Sequence, residues 1–149
     1  VTHLDSMVDD LDNLGQKISS TDQMRGWMCR QAVASYERED YFASFLTLSV
    51  LAEQAVREKA DSVDGDYLDA VQALLDNGVI NEGETAPLLM LKHMQSQVSN
   101  TYMHAPDMSA IFAVDGEDVM YPYNEETTWE EFMKTHMLTF FRIVAKIVK

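Results

Sequence analysis

Between residues 41 and 59 the apolar side chains fall on one broad stripe, and no other part of the chain restricts its fold as tightly. Phe42, Phe45, Leu46, Leu48, Ala52, Ala55 and Val56, with Ser49 among them, recur at helical spacing. A period near 3.6 residues predicts an amphipathic helix whose apolar face has to be covered by other elements. The segment therefore predicts a core helix.

The flanking segments carry the same signal. Residues 3–18 place Leu4, Met7, Leu11, Leu14 and Ile18 at spacings of 3, 4, 3 and 4, a seam of two heptads. Two heptads are too few for an independent coiled coil, so this N-terminal helix, residues 1–20, is expected to pack on the rest. Ser20-Thr21-Asp22-Gln23 has the form of a capping box with Ser20 at the N-cap. A helix through Trp27, Cys29, Val33 and Tyr36 should follow, and the charged run Glu37-Arg38-Glu39-Asp40 lets the chain turn or continue as helix. Residues 61–65 are expected to form a loop. Residues 66–77 predict a shorter helix with Leu68, Val71, Leu74 and Leu75 inside, ended by Asn77-Gly78 as a glycine cap. Glu84-Thr85-Ala86-Pro87 opens the next helix, with proline tolerated in its first turn. Ala105-Pro106-Asp107 closes it.

The pattern then changes. Residues 110–114 and 117–121, joined by Asp115-Gly116, predict a small hairpin packed as an excursion on the bundle. Thr128-Trp129-Glu130-Glu131 has the form of a second capping box and launches a last helix to about residue 149. Its buried side is expected to hold Phe132, His136, Met137, Phe140, Phe141, Val144 and Ile147, with Lys146 and Lys149 at its negative end.

Composition removes several function classes. The 149 residues form one domain, 46% hydrophobic, large enough for a core without staples. The single cysteine, Cys29, excludes an internal disulfide and a cysteine-based zinc cluster, and its apolar neighbours predict an inert buried thiol. No apolar run approaches the length of a membrane span and no charged-then-apolar leader opens the numbering, so a cytoplasmic protein without membrane partner is expected. The net charge of −14 resides in residues 60–133, where 15 acids face one base, Lys92. Such a surface repels phosphate backbones and suits either solubility or a basic partner protein.

Candidate chemistry centres on Asn100 and His104, four residues apart near the end of the helix that carries them. An amide and an imidazole so placed could act on a phosphodiester, with His104 as general base, or could tie off the helix end. His93, His104 and His136 with Glu53 could in principle share an ion. No Glu-x-x-His or His-x-x-x-His pair supports that, and no glycine-rich phosphate loop is present, so neither metal nor cofactor is expected. Among the ten methionines, Met90, Met94, Met133 and Met137 are expected mainly as adaptable core filling.

The order of these elements resembles the HEPN superfamily of small helical domains found in prokaryotic toxin–antitoxin, restriction, abortive-infection and CRISPR-associated proteins. The resemblance rests on Leu51-Ala52-Glu53 near the end of a long helix, then Gly78-Val79-Ile80, then Asn100-x-x-x-His104 and a last amphipathic helix. It covers roughly residues 33–149. It implies an all-α bundle of five or six helices of HEPN type, with the hairpin near 110–121 as an excursion. Active members resemble metal-independent ribonucleases with a composite site at a dimer interface and an arginine before the histidine. Carried onto this chain, that arginine falls at Gln97, Val98 or Ser99, none of them basic. A serine hydroxyl cannot replace a fork of charged donors at a phosphate. The expectation is therefore a non-catalytic homodimeric docking module in a defence or stress system, meeting protein partners through the Asn100/His104 helix end and the last helix. The alternatives are a metal-independent endoribonuclease acting on RNA through Asn100 and His104, and an acidic adaptor for a basic protein.

Overall fold

The computed structural model describes residues 3–61, 65–103, 109–114, 117–122 and 125–149, with side chains over 9–61, 65–98 and 125–149. The chain is an all-α bundle of six helices with one two-stranded excursion. The helices are α1 (His3–Ser19), α2 (Gln23–Glu37), α3 (Tyr41–Lys59), α4 (Tyr67–Asp76), α5 (Glu82–Met103) and α6 (Glu126–Ile147). Strands β1 (Ser109–Val114) and β2 (Glu117–Pro122) pair antiparallel, with Ala110 opposite Tyr121. The expected loop at 62–64 and the Asp115-Gly116 turn lie outside the described residues.

Helix α3 is the hub, packed against α2, α4, α5 and α6, which is why its apolar stripe has to be wide. Phe45, Leu48, Leu51, Ala52 and Val56 are fully buried on it. Trp129 on α6 stacks into this face, 4.7 Å from Phe45 and 5.1 Å from Phe42 between ring centroids. Phe132 then meets Phe45 edge to face at 5.4 Å. Helix α1 closes the other side against α2 and α6, contributing Leu11 and Ile18 to the same core.

Helix ends show where local signals were right and where they misplaced a boundary. The turn after α2 is real: Glu39 adopts a left-handed φ of 65°, and the Glu39 and Asp40 amides donate to the Tyr36 and Ser35 carbonyls. Gly78 has φ 74°, and the Gly78 and Val79 amides donate to the carbonyls of Leu75 and Leu74, a Schellman ending for α4. The first capping box is displaced. Asp22, not Ser20, caps α2 by accepting from the Arg25 amide at 3.0 Å, while Ser20 Oγ donates back to the Lys17 carbonyl. Helix α5 starts earlier than the Glu84–Pro87 signal. Asn81 and Glu84 form a reciprocal box, each side chain accepting from the other's amide at 3.0 and 2.9 Å. Likewise α6 begins at Glu126, so Thr128 sits inside the helix, fully buried, rather than capping it.

One cap comes from far away in sequence. Asp40 makes no side-chain bond to the start of α3; instead Glu126 Oε1 accepts from the Tyr41 and Phe42 amides at 2.8 and 3.3 Å. The first turn of α6 thereby satisfies the orphan donors of α3. Gly26 marks a close helix crossing, since a Cβ there would lie 2.8 Å from Ser19 Oγ and 3.2 Å from Ser19 Cα.

Candidate functional site

The densest polar constellation in the interior joins α3, α4 and α5. Ser49, Glu53 and Arg57 stand four residues apart on one face of α3. Glu53 Oε1 accepts from Arg57 Nε at 3.1 Å and from Lys92 Nζ at 2.9 Å. Lys92 also donates to Gln95, and Gln95 donates to Ser49 Oγ at 3.1 Å. Both cations stand 5.8 Å from the centroid of the Tyr67 ring, whose hydroxyl donates to the Leu88 carbonyl. Burial, reinforced by the charge of Glu53, pushes the Tyr67 phenol far above its ordinary value. Burial would raise the Glu53 carboxyl too, but the bonds and charges of Lys92 and Arg57 outweigh it and hold the group below its usual range. The side chains fill the space between them and leave no room for a water-sized ligand. This network is a structural tie. Lys92, the one base of residues 60–133, is committed to it.

The residues singled out by sequence do not assemble into a described site. Asn100 lies on the helical backbone of α5, while its side chain and the whole of His104 lie outside the described residues. His93 is exposed on α5. His136 is half-buried on α6 between the rings of Phe132 and Phe140, 5.0 and 6.3 Å away, and burial lowers its pKa. Among the described residues, no group of three or more histidine, cysteine, aspartate or glutamate side chains is placed to hold a metal. Cys29 is buried, and desolvation pushes its thiol up to about 11, so it is not a nucleophile near neutrality.

The surface carries more information than these side chains. The apolar residues of α6 are consumed inside the molecule, from Trp129 to Ile147. The expected inward positions Leu46 and Leu68 instead reach solvent at 38% and 54% exposure, and Trp27 is 52% exposed, because each falls on the flank of its helix away from the core. Tyr67 takes the inward place next to Leu68. Two clefts open on the α1 side. One, about 510 Å³, lies between α1 and α2 with Leu11, Cys29 and Val33 at its base and Asp12, Arg30 and Glu37 around it. The other, about 580 Å³, lies between the last turns of α1 and α6 and is rimmed by cations. Sequence reasoning placed Lys146 and Lys149 only as partners of the α6 dipole. Lys17, over a hundred positions earlier, gave no sign that it joins them.

No helix among the described residues is long and apolar enough to cross a membrane. Comparison of the chain with protein-family models, with curated proteins and with solved structures finds no match.

Proposed function

We propose that this chain is a non-catalytic, HEPN-like docking module of a cytoplasmic defence or stress system, and that it pairs with a second copy through the outward face of α2 and α3. The observation that carries this reading is the exposed apolar set Met24 and Trp27 on α2 and Leu46 and Val50 on α3. These helices run side by side and antiparallel, since Arg25 bonds Gln54 at one end and Ser44 bonds the Ala32 carbonyl nearer the other. Exposed apolar residues gathered on adjacent helices mark a contact surface. Gln31 and Thr47, helical neighbours of Trp27 and Val50, carry no charge, and Arg30 stands one turn from Trp27. Two copies of a −14 chain repel, so self-contact is favoured where charge is absent. A twofold axis through this face would place each tryptophan against its partner's apolar ridge.

The wild-type protein is expected to sediment as a dimer. Trp27→Glu should weaken association roughly tenfold or more while leaving the helical circular dichroism unchanged, because a tryptophan at an interface centre carries a large share of its energy. A wild-type protein that stays monomeric throughout would overturn the reading. The same sample decides on catalysis: in EDTA no RNA cleavage that depends on His104 is expected. Cleavage by wild type that His104→Ala abolishes would replace the docking module with a metal-independent ribonuclease.

A further inference from the structure

We propose that the cleft between the C-terminal turns of α1 and α6 binds a short acidic peptide segment carrying an apolar side chain. Its rim is formed by Lys17 of α1, by Arg142 and Lys146 of α6 and by Lys149 just past its end, with Leu14 and Ala145 between them. Arg142 and Lys146 stand one turn apart on α6, about 6 Å along its axis, and Lys149 follows two residues past the helix end. Arg142 and Lys146 thus span about two residues of extended peptide.

Three of the four charges are left without an ion pair among the described residues. The two helix C-termini contribute together about one negative charge, which accounts for part of the cationic excess. Lys146 also bonds Glu84 at 2.6 Å. Lys17, Arg142 and Lys149 make no ion pair among the described residues. In a chain of net charge −14, this concave surface gathers four of the eleven basic side chains, and no acid is among the described residues of its lining. The hydroxyls beside it, Ser20 and Thr21, donate back to the Lys17 and Ile18 carbonyls, so the cations supply the attraction.

Shape and composition select among anions. Among the described residues no aromatic ring lines the cleft, so a single-stranded nucleic acid would find no stacking platform. A long polyanion would also be repelled by the chain's net charge of −14, which a short ligand confined to the cleft feels less. A bare phosphate would leave Leu14 and Ala145 uncovered. An acidic segment with an apolar anchor satisfies both parts: carboxylates at the rim, and the anchor on the floor with the aliphatic stems of the cations around it. The cleft shares no residue with the α2–α3 face, so it can be filled whether or not the chain self-pairs.

The test uses the full chain and a labelled synthetic peptide of alternating glutamate and leucine, followed by fluorescence anisotropy. Binding is expected at about 0.05 M salt and should fall steeply towards about 0.5 M. Arg142→Glu combined with Lys149→Glu should weaken it roughly tenfold or more. Both side chains are exposed, so circular dichroism should be unchanged, and Arg142→Gln gives a smaller loss in the same direction. Trp27→Glu should bind the peptide like wild type. Absence of binding, or binding untouched by the double charge reversal, would overturn the proposal. So would equal affinity for a peptide of alternating glutamate and serine, which lacks the anchor. Tighter binding of inorganic tripolyphosphate or of a single-stranded RNA would assign the cleft to phosphate instead.

Discussion

Trp129→Ala is expected to lower the unfolding free energy by about 3–5 kcal/mol, the largest loss available from one side chain in this molecule. The indole is 2% exposed in the first turn of α6 and touches Phe42 and Phe45 on α3. Its removal takes away more than apolar area. A cavity opens where α3, the hub, meets α6, and two aromatic contacts disappear with it. The same turn carries Glu126, which accepts from the Tyr41 and Phe42 amides, so loosening α6 also weakens the cap on α3. Trp129→Phe keeps much of the volume and should cost about 1–2 kcal/mol. Urea unfolding followed by circular dichroism measures both, with the dependence on urea unchanged if the transition stays two-state. A loss below about 1 kcal/mol for the alanine variant would show that this joint does not hold the two helices together.

Glu53→Ala should destabilise by about 2 kcal/mol, because it removes the carboxylate that Lys92 and Arg57 share in a partly buried position beside Tyr67. The pH dependence tests the same tie with a definite sign. Burial alone would raise the Glu53 pKa, but hydrogen bonds and charges from Lys92 and Arg57 lower it overall. A carboxyl depressed in the folded state contributes stability that is fully present above its unfolded pKa, about 4.3. That contribution is lost as the pH falls through the lower folded value. Glu84 acts in the same direction: burial opposes ionisation, and Lys146 together with the Asn81 amide overcomes it. Wild type should therefore lose stability on acidification below about pH 5, and Glu53→Gln should lose less over that range. Urea midpoints of the two proteins between neutral and acidic pH provide the comparison. Parallel curves would show that Glu53 does not contribute through its charge.

The helices of this chain were legible because each carries its own period and its own punctuation. The stripe over residues 41–59, the turn at Glu39 and Asp40, and the glycine cap at Gly78 all act through neighbours a few positions away. Boundaries failed where two local signals competed. Ser20 and Asp22 both suit an N-cap, and the shorter reach to the Arg25 amide fell to Asp22. The Asn81-x-x-Glu84 box competes with the proline signal three residues beyond it, and the box sets the helix start. Leu46 and Leu68 match the apolar stripe yet reach solvent, because apolar residues on a helix flank are indistinguishable, in one dimension, from those on its buried side.

The candidate site was less legible than the fold. A motif such as Asn100-x-x-x-His104 names residues four apart, but it says nothing of what stands opposite them. Lys92 illustrates the difference: on the sequence it is the lone base in an acidic stretch, and in the fold it is held by Glu53, 39 positions away. The cationic cleft likewise combines Lys17 with Arg142, Lys146 and Lys149, which no short window of sequence joins to it.

Local periodicity and capping chemistry were enough to predict five or six helices, a hairpin and an inert cysteine, because backbone hydrogen bonds and side-chain faces repeat over three or four residues. Which helix caps another, which charges cancel and which remain open to a partner depended on the packing of α3 against its four neighbours. Those pairings join residues tens of positions apart, and only burial and distance in the folded bundle choose among them.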